Sequence, residues 1–599
     1  MRSLMKHQIK RSAYALVSLM SLMPLMMLAP CTGAALAADT TLPASDGNDT
    51  IFRALKDEMD RSVSRLQLKG HQKPYFMSYV VKDKDVVQIS ASYGALSEHE
   101  EFKDRDLNVD VRVGDYDLDN TGYSGGGFFF GGFGKGFGGN VTLDEDYDGL
   151  RHTLWLNTDS EYKQAVEDLE SKKAYLKQND VKDRPPDFTR ESAIVELEKP
   201  VRMQCDTKKW SDAVRDMSAV FKDYPKIDQS MVMYEQDGNN RWLLNSEGTK
   251  TFTASPEYSL MIVAAARAED GSVVSDSDVL YGEKESDLPS TADAEKRIRA
   301  LADRLTETVS APLLEDYTGP VLFEGSAAAE FLAQTLSPNF ANPVESLGSS
   351  GFSFFGGGSP LKDRLGMRIL PAWVSVVDDP LATDYKGQKL YGGAIIDDEG
   401  VRPEKITLVE KGILKTFCSS RTPSRYVKKS NGHNFHGTSS VTNLFILPEQ
   451  TIAKKAMYAK LRKMGKEEGL KSVLVVRRVQ TPLSLILNPK ANVTRRMGGA
   501  GSFSMLPTAL VYKVDVETGK ETVARITPFS GVGLGTMRDI VAMGNDTQAY
   551  SLFRHGSSPE YDALSIITPS ILVKELDLQK AEKDSEKAPI LSNPYFEKD

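Results

Sequence analysis

Cysteine and histidine are scarce in this chain: three and seven in 599 residues. Cys31 falls in an N-terminal leader, which leaves Cys205 and Cys418. Two cysteines build no disulfide framework. An oxidising compartment would allow one bridge, and two buried thiols is the plainer reading. Basic residues are in the minority, 74 against 83 acidic, for a formal charge of −9. That balance argues against nucleic acid and anionic membranes as partners. Two active-site signatures are missing as well. No G-x-x-x-x-G-K-S/T phosphate loop occurs; in the Gly/Phe-rich run 122–139, Lys135 is followed by Gly136. No G-x-S-x-G nucleophile elbow occurs either. Beyond the leader no apolar run is long enough for a bilayer, so no membrane span is expected after its removal.

The leader is the first positive feature. Arg2, Lys6, Lys10 and Arg11 precede an apolar run from Ala13 to Pro30, and Ala35-Leu36-Ala37 follows. A basic segment, an apolar segment interrupted by Pro24 and an A-x-A site predict a signal peptide over 1–37 and a periplasmic or secreted protein. Cleavage as a lipoprotein at Cys31 is disfavoured by Pro30, where a small residue is expected. Residues 38–48 read as a flexible leader, and Asp49 or Thr50 as the cap of a helix with Ile51, Leu55, Met59 and Val63 on one face.

Strands are expected at 76–81, 86–93 and 107–113, the last with strict alternation. A hairpin is expected with arms 231–234 and 241–245 around Asp237-Gly238-Asn239-Asn240. A helix opens at Ser290 or Thr291, with Ala294, Ile298, Leu301 and Leu305 inward. Further on, a helix is expected at 326–335 and strands at 473–477, 509–516 and 523–526. The predicted class is α+β: an N-terminal α/β domain (38–310) carrying the 122–139 insertion, a β-rich C-terminal domain (311–577), and a charged tail (578–599). The Gly/Phe runs 122–139 and 348–358 read as mobile loops.

Two constellations invite chemistry. The acidic groups Asp378-Asp379 and Asp397-Asp398-Glu399 could serve as paired carboxylates or a Ca²⁺ site. Neighbours on a strand point to opposite faces, so the favoured role is capping the turns beside Pro380 and Gly400. His433 and His436 form an H-x-x-H in a polar loop with Asn431. No carboxylate or thiolate stands near them in sequence, so a hydrogen-bonding loop is favoured over a metal site.

The order Val376-Val377-Asp378-Asp379-Pro380, then Gly392-Gly393, Asp397-Asp398-Glu399-Gly400-Val401 and Pro403, then Leu408-Val409-Glu410, Gly412 and Leu414-Lys415 resembles the core of the TldD/PmbA family, classed with metallopeptidases. The Asn245–Gly248 turn and the Thr536–Asp546 stretch are similar to that family too. The resemblance implies a homodimer, or a heterodimer with a TldD-like paralogue, enclosing a cavity that admits peptides or unfolded segments. It marks His433, His436, Asn431, Asp397 and Asp398 as candidate cavity residues. Zinc-bearing members carry H-E-x-x-x-H on the helix after the strand at Pro320, with a cysteine far downstream. Here Ala333, Gln334 and Pro338 stand at those positions, and no cysteine follows Cys418. Ala and Pro offer no donor, and Gln is no base. The chain therefore resembles the PmbA-like half, with no cofactor expected on it and zinc placed on a paired paralogue. Three readings follow: a component of a peptide-processing system, a non-catalytic peptide-binding or scaffold protein, and a hydrolase built on the carboxylate turns.

Overall fold

The computed structural model describes residues 47–124, 141–348, 359–487, 505–553, 563–578, 591 and 593–597. The leader over 1–37, most of the two Gly/Phe runs and most of the charged tail lie outside the described residues. The described residues from Asn48 onward pack as one unit, and the chain is α+β.

The first half is built on a sheet of long strands: β1 (Pro74–Ser92), β2 (Ala95–Val113), β3 (Val195–Leu197), β4 (Gln229–Asn245), β5 (Lys250–Arg267) and β6 (Val273–Gly282), in the order β2-β1-β4-β5-β3, with β6 also on β5. Two strands are longer than their local sequence predicts. Lys82-Asp83-Lys84-Asp85 reads as a break between two strands, yet β1 runs through it. The cause is cross-strand charge pairing: Arg105 on β2 holds Asp83 (Nη2–Oδ2 2.6 Å) and Lys103 holds Asp85 (3.0 Å). The hairpin expected at 237–240 is likewise absent. β4 continues straight through, because β1 and β5 pair with it on both sides there. Two complete ladders outweigh local turn propensity. Gly238 suits the position, since a Cβ would lie 2.4 Å from Met203 Cγ.

Helices cover this sheet. α1 (Gly47–Arg65) and α2 (Tyr147–Gln178) pack with Met77, Tyr79, Val81 and Trp242. α1 begins at Gly47, ahead of the expected cap at Asp49 or Thr50. α3 (Thr207–Ala219) and α4 (Thr291–Val309) pack with Ile89, Val232 and Ile262. Ser290 caps α4, and its Ala294, Ile298, Leu301 and Leu305 are all buried. No described helix is long and apolar enough to cross a membrane.

The second half is β-rich. One sheet joins the strands Thr318–Phe323, Ser472–Val479, Thr508–Asp515, Glu521–Ile526 and Ile571–Leu578, with short strands at its margins. The other joins Val374–Asp378, Ile406–Glu410, Ile413–Leu414, Asn443–Pro448, Gln548–Phe553 and Ala563–Thr568. Helix α5 (Ser326–Thr335) lies between them, touching Thr318–Phe323 and Ser472–Val479 on one side and Gln548–Phe553 and Ala563–Thr568 on the other. Its residues from Ala327 to Thr335 are all buried.

Candidate functional site

The acidic turn at 397–400 is the joint between the halves. Asp397 is buried, and its carboxylate accepts the N–H groups of Glu399 (3.0 Å), Val401 (2.8 Å) and Asn434 (3.2 Å). Gly400 closes the turn at φ +78°, where a Cβ would also meet Thr249 Cγ2 at 2.7 Å. Asp398 Oδ2 accepts from the His436 N–H at 2.6 Å, and Arg241 of β4 donates to the Asp398 carbonyl. Glu399 Oε2 accepts from the Arg421 N–H at 2.6 Å. One turn thus ties the histidine loop to the first sheet.

These environments separate the three acids. Burial, then the neighbouring Glu399 charge, pushes Asp397 up to about 7. Burial raises Glu399 too. Burial also opposes ionisation of Asp398, yet Arg241, Lys82 and His436 together hold it below the usual carboxylate range. The three acids of this turn thus face different surroundings. The same holds upstream: Asp378 is wholly buried, while Asp379 pairs with Lys405 at 2.9 Å.

Asp398 and His436 line a cavity of about 520 Å³ over the first sheet. Its wall is written in strand periodicity. Lys82 and Lys84 on β1, Asp104 and Asp106 on β2, and Glu235 and Asp237 on β4 alternate with residues of the other face. With Glu257 and Asp398 the groove carries six carboxylates against three cations, Lys82, Lys84 and Arg241. Burial and then Asp237 push Glu235 up to about 7. Reading 82–85 and 237–240 as turns hid this polar face; the alternation of charge at 82/84, 104/106 and 235/237 was its signal.

The H-x-x-H pair is split. His436, at φ +56°, lines the groove, whereas His433 is fully buried. His433 Nδ1 lies 2.8 Å from the Asn431 carbonyl, and Nε2 lies 3.0 Å from Asp378 Oδ2. Asn431 braces the same loop, accepting from the Ser419 N–H (2.7 Å) and donating to the Phe417 carbonyl (2.9 Å). The expectation that no carboxylate or thiolate stands near the pair is corrected here. Asp378, Cys418 and His433 bring one ligand atom each to within 4.8 Å of the others. Sequence distance concealed them, since the strand Val374–Asp378, the stretch after Leu414 and the histidine loop meet only in the folded sheet. Neither Cys205 nor Cys418 is in a disulfide; burial pushes the Cys205 thiol up to about 11.

The positions aligned with a zinc motif lie elsewhere, on α5 and in the turn that follows it. Ala333 is 1% exposed in the core. Gln334 Nε2 donates to Glu330 (2.9 Å) and to the Gln480 carbonyl (2.8 Å), while its Oε1 accepts from the Leu506 N–H (2.7 Å). Pro338 sits in the 3₁₀ turn Ser337–Phe340. Two side chains without donors and one committed amide do not fit a zinc ion, and no step can be routed through one there.

Arg421 escaped the sequence reading altogether. It is 1% exposed, pairs with Glu247 (Nη1–Oε2 2.7 Å) and stacks over Phe188 at 4.0 Å. Its partner belongs to the Asn245–Gly248 turn, so this pair is a second tie between the halves.

Comparison with known proteins agrees with this architecture. Residues 316–580 match the family model of the PmbA/TldA metallopeptidase C-terminal domain. A metalloprotease of Archaeoglobus fulgidus is 38% identical over 69 residues, 12% of this chain and 15% of the relative. A metalloprotease of Methanocaldococcus jannaschii is 41% identical over 63 residues, 10% of this chain and 13% of the relative. The chain thus aligns with well under two thirds of either relative's length. Among solved structures, a candidate modulator of a DNA gyrase from Thermotoga maritima has a TM-score of 0.53 at 17% identity, covering 87% of this chain and 99% of its own. TldE from Thermococcus kodakarensis has a TM-score of 0.50 at 13% identity, covering 88% and 99%. At such identities these two likenesses speak for the fold alone.

Proposed function

The chain belongs to the TldD/PmbA family, and on that premise we propose that it works in a peptide-processing system, holding extended peptide segments in the groove over the first sheet. The family is metallopeptidase-related. In this reading the chain's own zinc motif is degenerate, the protein acts in the periplasm or as a secreted protein, and catalytic zinc sits on a TldD-like paralogue paired with it. The observation that carries the reading is the contrast between α5 with the turn after it, which offer no ligands at Ala333 and Pro338, and the built groove beside Asp398 and His436. Groove side chains two residues apart on a strand repeat roughly every 7 Å, the spacing of alternate side chains on an extended peptide. The excess of carboxylates favours lysine- and arginine-bearing segments, with an attraction that salt weakens.

The test is fluorescence anisotropy with labelled extended peptides, cationic and anionic, together with a cleavage assay of the chain alone and with a zinc-bearing paralogue. Cationic peptides are expected to bind and to release with added salt, and cleavage is expected only with the paralogue. Cleavage by the chain alone would overturn the degenerate-motif reading. Indifference to peptide charge would overturn the groove assignment. A second reading, a non-catalytic peptide-binding or scaffold protein, uses the same groove. Peptide binding that no paralogue converts into cleavage would favour it.

A further inference from the structure

We propose that Asp378, Cys418 and His433 form a buried site for one thiophilic divalent cation of the zinc class. This goes against the expectation that the chain holds no metal, and it concerns none of the aligned motif positions on α5. All three side chains are fully buried, and their ligand atoms lie within 4.8 Å of one another. Donors sharing a tetrahedral zinc stand roughly 3.2–3.7 Å apart. The His433 Nε2 and Asp378 Oδ2 atoms, at 3.0 Å, nearly meet that spacing, and the sulfur has to close by at most about 1 Å.

Each ligand already has the support that metal ligands take from a second layer of groups. His433 Nδ1 rests on the Asn431 carbonyl at 2.8 Å, which leaves Nε2 as the nitrogen aimed at the cluster. Asp378 is oriented by the Thr442 N–H (2.9 Å) and hydroxyl (2.7 Å). Cys418 is fixed by its own backbone, donating to the Phe340 carbonyl at 2.8 Å and accepting from the Asn342 N–H at 2.8 Å.

Ligand chemistry selects the ion. One sulfur, one nitrogen and one oxygen suit zinc or cobalt and not Ca²⁺ or Mg²⁺, which take mostly oxygen. The ion would be structural, pinning Val374–Asp378, the Cys418 stretch and the histidine loop together.

The test uses the whole purified protein, stripped with a chelator and then dialysed against Co²⁺ or Zn²⁺. About one metal per chain is expected, with a thiolate-to-cobalt charge-transfer band. Cys418→Ser should abolish the charge-transfer band, and His433→Gln should lower the metal content at least tenfold. Should either variant fail to fold, the wild-type stoichiometry and spectrum decide. Metal uptake below about a tenth of an equivalent, or bound cobalt with no thiolate band, would overturn the site. Neither result bears on peptide binding in the groove.

Discussion

Two regions of this molecule resemble chemistry and resolve in opposite directions. The groove face of the first sheet is polar, charged and open. Helix α5 is sealed, with every residue from Ala327 to Thr335 buried. Ala333 and Gln334 lie in the sealed region, while Asp398 and His436 line the open one. In the sealed helix Ala333 and the Phe331 ring serve as core, and Gln334 ties the helix to Gln480 and Leu506.

The strongest test of that contrast is to restore the motif. Ala333→His and Gln334→Glu place an imidazole in a filled core and a second carboxylate beside Glu330. We expect a loss of roughly 3–5 kcal/mol, read by denaturant melts, and no gain of zinc. A folded variant with stoichiometric zinc at α5 would break the comparison.

The next effect concerns the tie between the halves. Arg421→Ala leaves Glu247 without its buried partner and removes the stacking on Phe188. The expected cost is about 3 kcal/mol. Arg402→Ala, whose exposed side chain pairs with Glu196 at 2.8 Å, should cost less than about 1 kcal/mol. Equal losses in a paired melt would show that burial does not separate the two.

pH provides a third test. The folded values of Glu235 and Asp397 are raised to about 7, so between about pH 4 and 7 these two groups hold more protons in the folded chain than in the unfolded one. Stability from these groups is present at low pH and is lost as pH rises toward 7. Relative to the wild type, Glu235→Gln should gain on the order of 1 kcal/mol between pH 4 and 7, read by melts at the two values. An unchanged slope would remove Glu235 from the account. The smallest effect is on binding: Asp104→Asn should weaken cationic peptides about threefold at low salt and hardly at all at high salt, measured by anisotropy.

What the sequence conveyed depends on how local the cause was. Helix α4 was legible because Ser290 and the Ala294–Leu305 stripe are local, and the hairpin of Thr508–Asp515 and Glu521–Ile526 because Thr518-Gly519 closes it. The continuity of β1 was not, because Lys82–Asp85 needs Arg105 and Lys103 from another strand to remain extended. The same holds at the sites. Asp397, Asp398 and His436 could be named as candidates from a short pattern, whereas the neighbours of His433 could not. Asp378 stands 55 residues from it, and only the sheet order brings the two together.

The groove owes its volume to β4 as much as to its lining. Near one end, β4 is moored by Arg241 to Asp398 and, just past its last residue, by Glu247 to Arg421. Near the other, Met233 packs on Leu483, and the nearby β6 is moored by Asp276 to Arg478 at 2.8 Å. The sheet is a bridge deck on two abutments, and from Glu235 to Asn239 the span is carried by β1 and β5 on its two edges. A strand paired on both edges does not sag. The opening is therefore set by the distance between moorings, and trimming side chains along the span should widen it without letting it collapse.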